Sequence, residues 1–437
     1  MLNLNRRQFL GAGSLALGLA APGLTAWADS PGSVLVVVFL RGGMDGLSLL
    51  VPGEGPDRSH YESLRSSLRI ADTSLLPVAG SPFGWRPEAA GLDRLYRAGV
   101  LAPIQAVGML PLEDTTRSHF DAEAYMELGG GRPWNKFHPS GWLTRHLGTR
   151  ATSLQGLDLP VVTMSGKVPH SLRDQDGLLD ELAMVNLRHQ PQDYRLYHHQ
   201  HWQAGPHQVP TLQTLYGLGD SEIHRKGLRA LDTAELLAGQ LPEGYIPGGG
   251  ARYPEGTLGL QFQSIARLIR AGFGVQAVTV EFGGWDTHAG QEDDGFLGNY
   301  MGLLSDALEA FHTDLDADAA AADRVVTVVM SEFGRRVDEN GDGGTDHGTG
   351  NLMLALGRPV RGGRLYGQWP GLATAQQYDR GLRSTTDYRL VLSEIVQRHL
   401  GNNDLGTVFP DYSPAPYLGL LGEAGGSGNL IFASGFE

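Results

Sequence analysis

Residues 34–40 read VLVVVFL, an unbroken β-branched and apolar run bounded by Gly32 and Gly42. A strand with one face in water alternates polar and apolar residues. A run without alternation belongs to a strand covered on both faces, as in a parallel sheet with helices on either side. Further strands are predicted at 102–107, 161–164, 275–282 and 325–330, with helical periodicity between them. This alternation predicts an α/β fold, a doubly wound and mostly parallel sheet sandwiched by helices. Two helix-to-strand junctions share one design: residues 92–97 run into Ala98-Gly99 and residues 265–270 into Ala271-Gly272, each with glycine where a left-handed helix cap is needed. Residues 167–255 have weaker periodicity, several histidines (among them His189, His198, His199, His201 and His207) and the break Gly248-Gly249-Gly250, and are read as an inserted helical cap.

The amino terminus reads as an address. Residues 1–28 hold a charged start (Asn5-Arg6-Arg7-Gln8-Phe9-Leu10), an apolar stretch over 15–21 and the small-x-small site Ala26-Trp27-Ala28. Paired arginines followed by x-Phe-Leu resemble a twin-arginine export signal. That implies the twin-arginine translocase as export partner, cleavage after Ala28 and a periplasmic or secreted mature chain. The apolar stretch is short against the ~20 residues that span a bilayer, so stable membrane insertion is not expected. The α/β domain is then expected over 29–421, and the glycine-rich residues 422–437 form a flexible tail.

Composition narrows the chemistry. The chain has no cysteine, which excludes disulfides, a thiolate nucleophile and cysteine-bound metal, so any metal must sit on oxygen and nitrogen. A formal net charge of −14 opposes unspecific attraction to nucleic acid, and no nucleic-acid partner is expected.

Ligands of open α/β sheets bind beyond the carboxyl ends of the strands, so the residues following each strand are the candidates for chemistry. After the first strand comes Arg41-Gly42-Gly43-Met44-Asp45-Gly46, a glycine-lined turn presenting one carboxylate. After the fourth comes Gly283-Gly284-Trp285-Asp286-Thr287-His288, whose Asp and His, two apart in extended chain, point to one side and can chelate one ion. After the fifth comes Ser331-Glu332-Phe333-Gly334-Arg335-Arg336, a carboxylate with two guanidinium groups suited to an anion. The glycine-flanked Thr345-Asp346-His347-Gly348 follows. Together Asp45, Asp286, His288, Glu332, Asp346 and His347 make an oxygen/nitrogen metal constellation. Residues 338–343 (DENGDG) match the opening of a calcium loop, but Thr349 stands where an EF-hand needs glutamate, so they are read as an acidic, mobile active-site loop. Ser118, with Asp121 three residues on, reads as a helix N-cap. A serine there is also a candidate nucleophile, with free backbone N–H groups for an anion and Arg117 beside it.

The motifs RGGMDGLSLLVP, RSHFDAEAYMELGG, GGWDTH, SEFGR and GTDHGTGN resemble family 1501 of the domains of unknown function, within the alkaline phosphatase/sulfatase-like superfamily. The resemblance implies an alkaline phosphatase-like α/β sandwich. It further implies that Asp45 and Glu332 hold one ion with the nucleophile, and that Asp286, His288 and His347 hold another, with Asp346 beside them. Where the superfamily usually has Asp-His at a strand end, this chain has Glu332-Phe333. Neither Ser118-His119-Phe120 nor Ser81-Pro82-Phe83-Gly84-Trp85 fits the formylglycine frame of a conventional sulfatase.

The expected function is therefore an exported metal-dependent hydrolase of phosphate or sulfate esters. Ser118 would be the nucleophile, and Arg117, Arg335 or Arg336 would clamp an anionic substrate, glycan-linked esters included. A divalent metal is expected, zinc first, with manganese, magnesium or calcium as alternatives. The competing expectation is an inactive phosphatase-fold module that binds a surface glycan or a partner protein.

Overall fold

The computed structural model describes residues 32–130, 136–154, 156–179, 184–186, 208–240, 244–414 and 416–422. The expected export signal lies outside these residues, as do residues 423–437 and His189, His198, His199, His201 and His207 of the expected cap.

Strand β1 (Val34–Arg41) is buried over all but its last residue. Val34, Val36, Val38 and Leu40 enter one apolar core, while Leu35, Val37 and Phe39 enter a second on the opposite face. The strands that follow are β2 (Leu50–Pro52), β3 (Leu76–Pro77), β4 (Phe83–Trp85), β5 (Leu101–Gly108), β6 (Val161–Met164), β7 (Met184–Asn186), β8 (Ala277–Gly283), β9 (Val325–Ser331), β10 (Asn351–Leu356) and β11 (Thr386–Asp387). The principal sheet has the order β11-β5-β10-β9-β1-β8-β6-β7, and β2, β4 and β3 form a small antiparallel sheet. In the principal sheet β1 pairs in parallel with β8 and β9, and β6 with β8 and β7, whereas β10 runs antiparallel between β5 and β9.

The helices used below are α1 (Ala90–Arg97), α2 (His119–Leu128), α3 (Gln208–Tyr216), α4 (Glu222–Gln240), α5 (Thr257–Arg270), α6 (Phe296–Asp316) and α7 (Tyr388–Arg398). Residues of α1, α5 and α6 fill the first core, and residues of α2 and α7 the second. The chain is thus an α/β sandwich around a mostly parallel sheet. The four strands predicted after the first are present as β5, β6, β8 and β9. Within the expected cap the described helices are α3 and α4. No helix among the described residues is long and apolar enough to cross a membrane.

Strand β10 was not predicted, and it positions the site. Because it runs against its neighbours, its amino end lies at the edge where β1, β8 and β9 end. The loop carrying Asp346 and His347 therefore enters the sheet at that edge.

Candidate metal centre

Four loops meet at the carboxyl edge through close backbone approach. Gly42 lies at φ +118°, and a Cβ there would stand 2.6 Å from the amide nitrogen of Asp286, so the turn after β1 tolerates only glycine. A Cβ on Gly348 would meet the carbonyl oxygen of Arg335 at 2.3 Å. With that space free, residues 334–336 and 346–348 pair across an isolated bridge, Arg336 N–H donating to the Asp346 carbonyl at 2.8 Å and Gly348 N–H to that of Gly334 at 2.7 Å. The fourth segment is the start of α2. Ser118 caps it by accepting from the Asp121 N–H at 3.4 Å, and Gly129, at φ +65°, closes it.

The first residue of that helix, His119, belongs to the centre. Its Nε2 lies 3.3 Å from Oδ1 of Asp286, which is 3.2 Å from Nε2 of His347 and 3.0 Å from Nε2 of His288. The two latter ring nitrogens are 2.8 Å apart. Donor atoms of His119, Asp286 and His347 all lie within 4.8 Å of one another, a group able to hold a metal ion. His288 joins it through its contacts with Asp286 and His347.

Each imidazole is oriented from behind. Nδ1 of His119 meets Oε1 of Glu332 at 2.7 Å, Nδ1 of His288 meets Oδ1 of Asp346 at 3.2 Å, and Nδ1 of His347 meets the Arg117 carbonyl at 2.8 Å. These oxygens accept, so each ring carries its proton on Nδ1 and turns a bare Nε2 lone pair toward Asp286. Two lone pairs 2.8 Å apart repel unless a proton or a cation lies with them. The His119 Nε2 is buried and has no hydrogen-bond partner, which favours the cation. Tetrahedral zinc with arms of ~2.0–2.1 Å has donor–donor edges of about 3.3 Å, and the three separations from Asp286 fall at 3.0–3.3 Å. The donor set, three imidazoles and one carboxylate, fits a divalent ion of the zinc type.

Charge follows the same pattern. Although burial opposes it, the hydrogen bond and charge of Arg335, with His347 and His119, hold Asp286 at about 2. Glu332 is held below the usual carboxylate range against its burial by hydrogen bonds from His119 and from the Gly42 N–H at 2.8 Å. The bond to Glu332 raises His119, whereas burial lowers His347. Asp286 and His288 remain open, with 47% and 43% of their side-chain surface exposed, so the centre faces solvent.

Of the predicted metal-binding residues, Asp286, His288 and His347 come together, while Glu332 and Asp346 stand behind His119 and His288 as hydrogen-bond partners. Asp346 also accepts from Arg336 at 3.0 Å and from Asn340 at 3.2 Å. Asp45 takes no part. Its oxygens accept two bonds from buried Arg65, at 2.6 and 3.0 Å, one from Ser48 at 2.7 Å and one from Gln291 at 2.9 Å. The expectation of Asp45 as a metal ligand is corrected accordingly, because a guanidinium occupies the place an ion would take.

Arg335 is also reassigned. It is fully buried and donates to the carbonyls of Gly42, Gly43, Thr345 and Trp285 and to Asp286 Oδ1, which makes it a tie between loops, buried away from a substrate. Arg117 binds Asp379 through both terminal nitrogens, at 2.7 Å to the carboxylate and 2.8 Å to the carbonyl, and acts on the centre through its own carbonyl. Ser118 is exposed beside the centre and is engaged through the capping bond.

The loop expected to be mobile is tied down: Asp338 pairs with Arg380, Glu339 accepts from Ser66, Ser67 and Leu68, and Asn340 donates to the His288 carbonyl at 2.8 Å. His119 is the residue that sequence reasoning missed. Its signal is the RSHFD motif, in which the candidate hydroxyl stands one position earlier.

No curated protein matches this sequence. Solved structures similar to it include the C-terminal periplasmic domain of EcEptC from Escherichia coli in complex with Zn, 11% identical, TM-score 0.33, over 78% of each chain. Alkaline phosphatase from the Antarctic bacterium TAB5 is 10% identical, TM-score 0.29, over 76% of this chain and 93% of that one. The PsFucS1 sulfatase from Pseudoalteromonas sp. is 11% identical, TM-score 0.28, over 76% of this chain and 64% of that one. Asp286, His288, Glu332, Asp346 and His347 all fall within residues 259–393, and it is over this segment that the chain matches the family described as "Protein of unknown function (DUF1501)".

Proposed function

We propose that the chain is an exported hydrolase of phosphate or sulfate esters that works with one divalent ion, zinc, rather than with two. The observation that carries this reading is the convergence of three Nε2 lone pairs and one carboxylate oxygen on a solvent-facing point at the carboxyl edge of the sheet. Asp286, His119, His288 and His347 would hold the ion, and a second site built on Asp45 is replaced by the Asp45–Arg65 pair. A cation there supplies charge stabilisation for the oxygens of a bound ester. Glu332, Asp346 and the Arg117 carbonyl hold the Nδ1 protons and keep the rings aimed. Arg336 binds Asp346 through Nη1, and of the three arginines expected near the substrate it is the one left to face an anion. Ser118 is the proposed nucleophile: its 3.4 Å capping bond is long, and its exposed hydroxyl sits one residue from His119. The twin-arginine-like start supports action in the periplasm or outside the cell.

The test is elemental analysis of natively exported protein beside turnover of aryl phosphates and aryl sulfates. One ion per chain, lost together with turnover in His347→Ala, is the expected result. Metal-free native protein would overturn the reading. Metal without turnover of either ester would favour a binding module over an enzyme.

A further inference from the structure

The centre is short of positive charge. Asp286, Glu332 and Asp346 bring it three carboxylates. Arg335 bonds Asp286 at 2.7 Å and Arg336 bonds Asp346 at 3.0 Å, while Glu332 is met by the His119 ring and the Gly42 amide. With a divalent ion on Asp286 and three neutral imidazoles, this inner group holds one positive charge in excess. Arg335 is fully buried, and Arg336, with 23% of its side chain exposed, is the guanidinium an incoming anion can meet.

The surrounding layer has the opposite sign. Arg41 contacts Glu123, Glu127 and Glu281, and Lys167 is near enough to Glu123 to act on its charge. Glu123 in turn stands near enough to Glu332 for the two negative charges to oppose each other. Glu339 is held by hydroxyls and amides of Ser66, Ser67 and Leu68 rather than by a cation. Arg117, Lys136 and Arg380 are each matched by an acid, Asp379, Asp121 and Asp338 respectively. Arg173 is followed directly by Asp174, whose carboxylate is held by the Leu178 and Leu179 amides. Among the described residues, Arg41 and Lys167 are thus outnumbered by the acids of this layer.

Tetrahedral esters differ in the charge they bring. A phosphate monoester carries nearly two negative charges at neutral pH, whereas a sulfate ester or a phosphodiester carries one. One charge matches the inner excess. A second finds no unshared cation and faces the ring of carboxylates, and an unfavourable charge placed against one ligand is a means of choosing another. We propose that the centre selects esters with a single negative charge, sulfate monoesters or phosphodiesters, and discriminates against doubly charged phosphate monoesters. The inference rests on the reading of the His119 cluster as an ester-hydrolysing centre and gives that centre its substrate class.

Calorimetric titration of the natively exported protein at pH 8 tests it with three ligands that have no ester bond to break: phenylphosphonate, which carries two charges, and methylphenylphosphinate and benzenesulfonate, which carry one. At least one of the singly charged ligands should bind about tenfold tighter than phenylphosphonate, and the tighter of the two tells a phosphodiester from a sulfate site. Glu123→Gln removes one acid of the outer layer and leaves the proposed ligands in place, so it should narrow the gap about threefold. Phenylphosphonate binding as tightly as the other two, a gap that Glu123→Gln leaves unchanged, or no binding of any of the three overturns the proposal. Turnover of aryl esters led by the phosphate monoester would strike the charge selection and leave the hydrolase reading standing. Selective binding of singly charged ligands without turnover of any aryl ester would strike the hydrolase reading and leave the selection to a binding module.

Discussion

Asp45 and Glu332 both follow inner strands, are 1% exposed, and carry charge at the same edge of the sheet, yet different partners give them different work. Glu332 receives the His119 ring and the Gly42 amide, so its charge is spent orienting a proposed ligand. Asp45 receives a buried guanidinium, and burial, which alone would raise its pKa, is outweighed by Arg65, Ser48 and Gln291. Breaking a buried ion pair by removing one member leaves the other charge uncompensated, at a cost of about 3–5 kcal/mol. Asp45→Asn is therefore expected to lower stability by about that amount while the protein still takes up its ion, measured by denaturant unfolding and elemental analysis. Loss of the ion with stability intact would return Asp45 to the metal site. In sequence the two acids look alike, because the distinction depends on Arg65, which reaches Asp45 through folding and carries no local signal.

At the scale of elements, the first turn of α2 joins capping to chemistry. Ser118 accepts from Asp121 N–H, a cap whose removal by alanine typically costs about 1 kcal/mol, whereas asparagine is a comparable cap without the hydroxyl. Ser118→Ala should thus unfold about 1 kcal/mol more easily and Ser118→Asn within a few tenths of the wild type. If the hydroxyl attacks the ester, both variants lose turnover and keep the ion; a fully active Ser118→Asn would assign the residue to capping alone. The cap was legible in sequence because Ser118 and Asp121 are three apart, and the inner strands were legible because their side chains are apolar on both faces. The His119 ligand was not, since only the direction of the helix turns it inward. Nor was β10: NLMLAL has neither alternation nor β-branched residues, and its strand state comes from lying between β5 and β9. The glycine-rich loop before it was recognised as a site, but the antiparallel strand that delivers it was not.

Across the whole molecule, the doubly wound sheet gathers the ends of β1, β8 and β9 and the start of α2 at one edge, and with them more carboxylates than cations. Arg41, at the end of β1, contacts Glu123 and Glu127 of α2 at 3.0 Å each and Glu281 of β8 at 2.5 Å. One guanidinium cannot neutralise three acids, and the excess falls on Glu123. Burial raises its pKa to about 7, with Glu332 and Glu127 adding to the rise and Arg41 and Lys167 opposing it. The folded chain therefore holds a proton on Glu123 that the unfolded chain releases near 4.5. Between those two values the folded state binds more protons than the unfolded state, so this group makes stability fall as pH rises, and the loss is complete above about 7. Glu123→Gln keeps the shape of the neutral acid and cannot ionise. Its melting temperature should match the wild type at pH 4 and exceed it at pH 8, read from thermal unfolding at both values. A variant that melts below the wild type at pH 8 would show that the Glu123 carboxylate is charged and paired with Arg41, and that the edge accommodates all three acids at once.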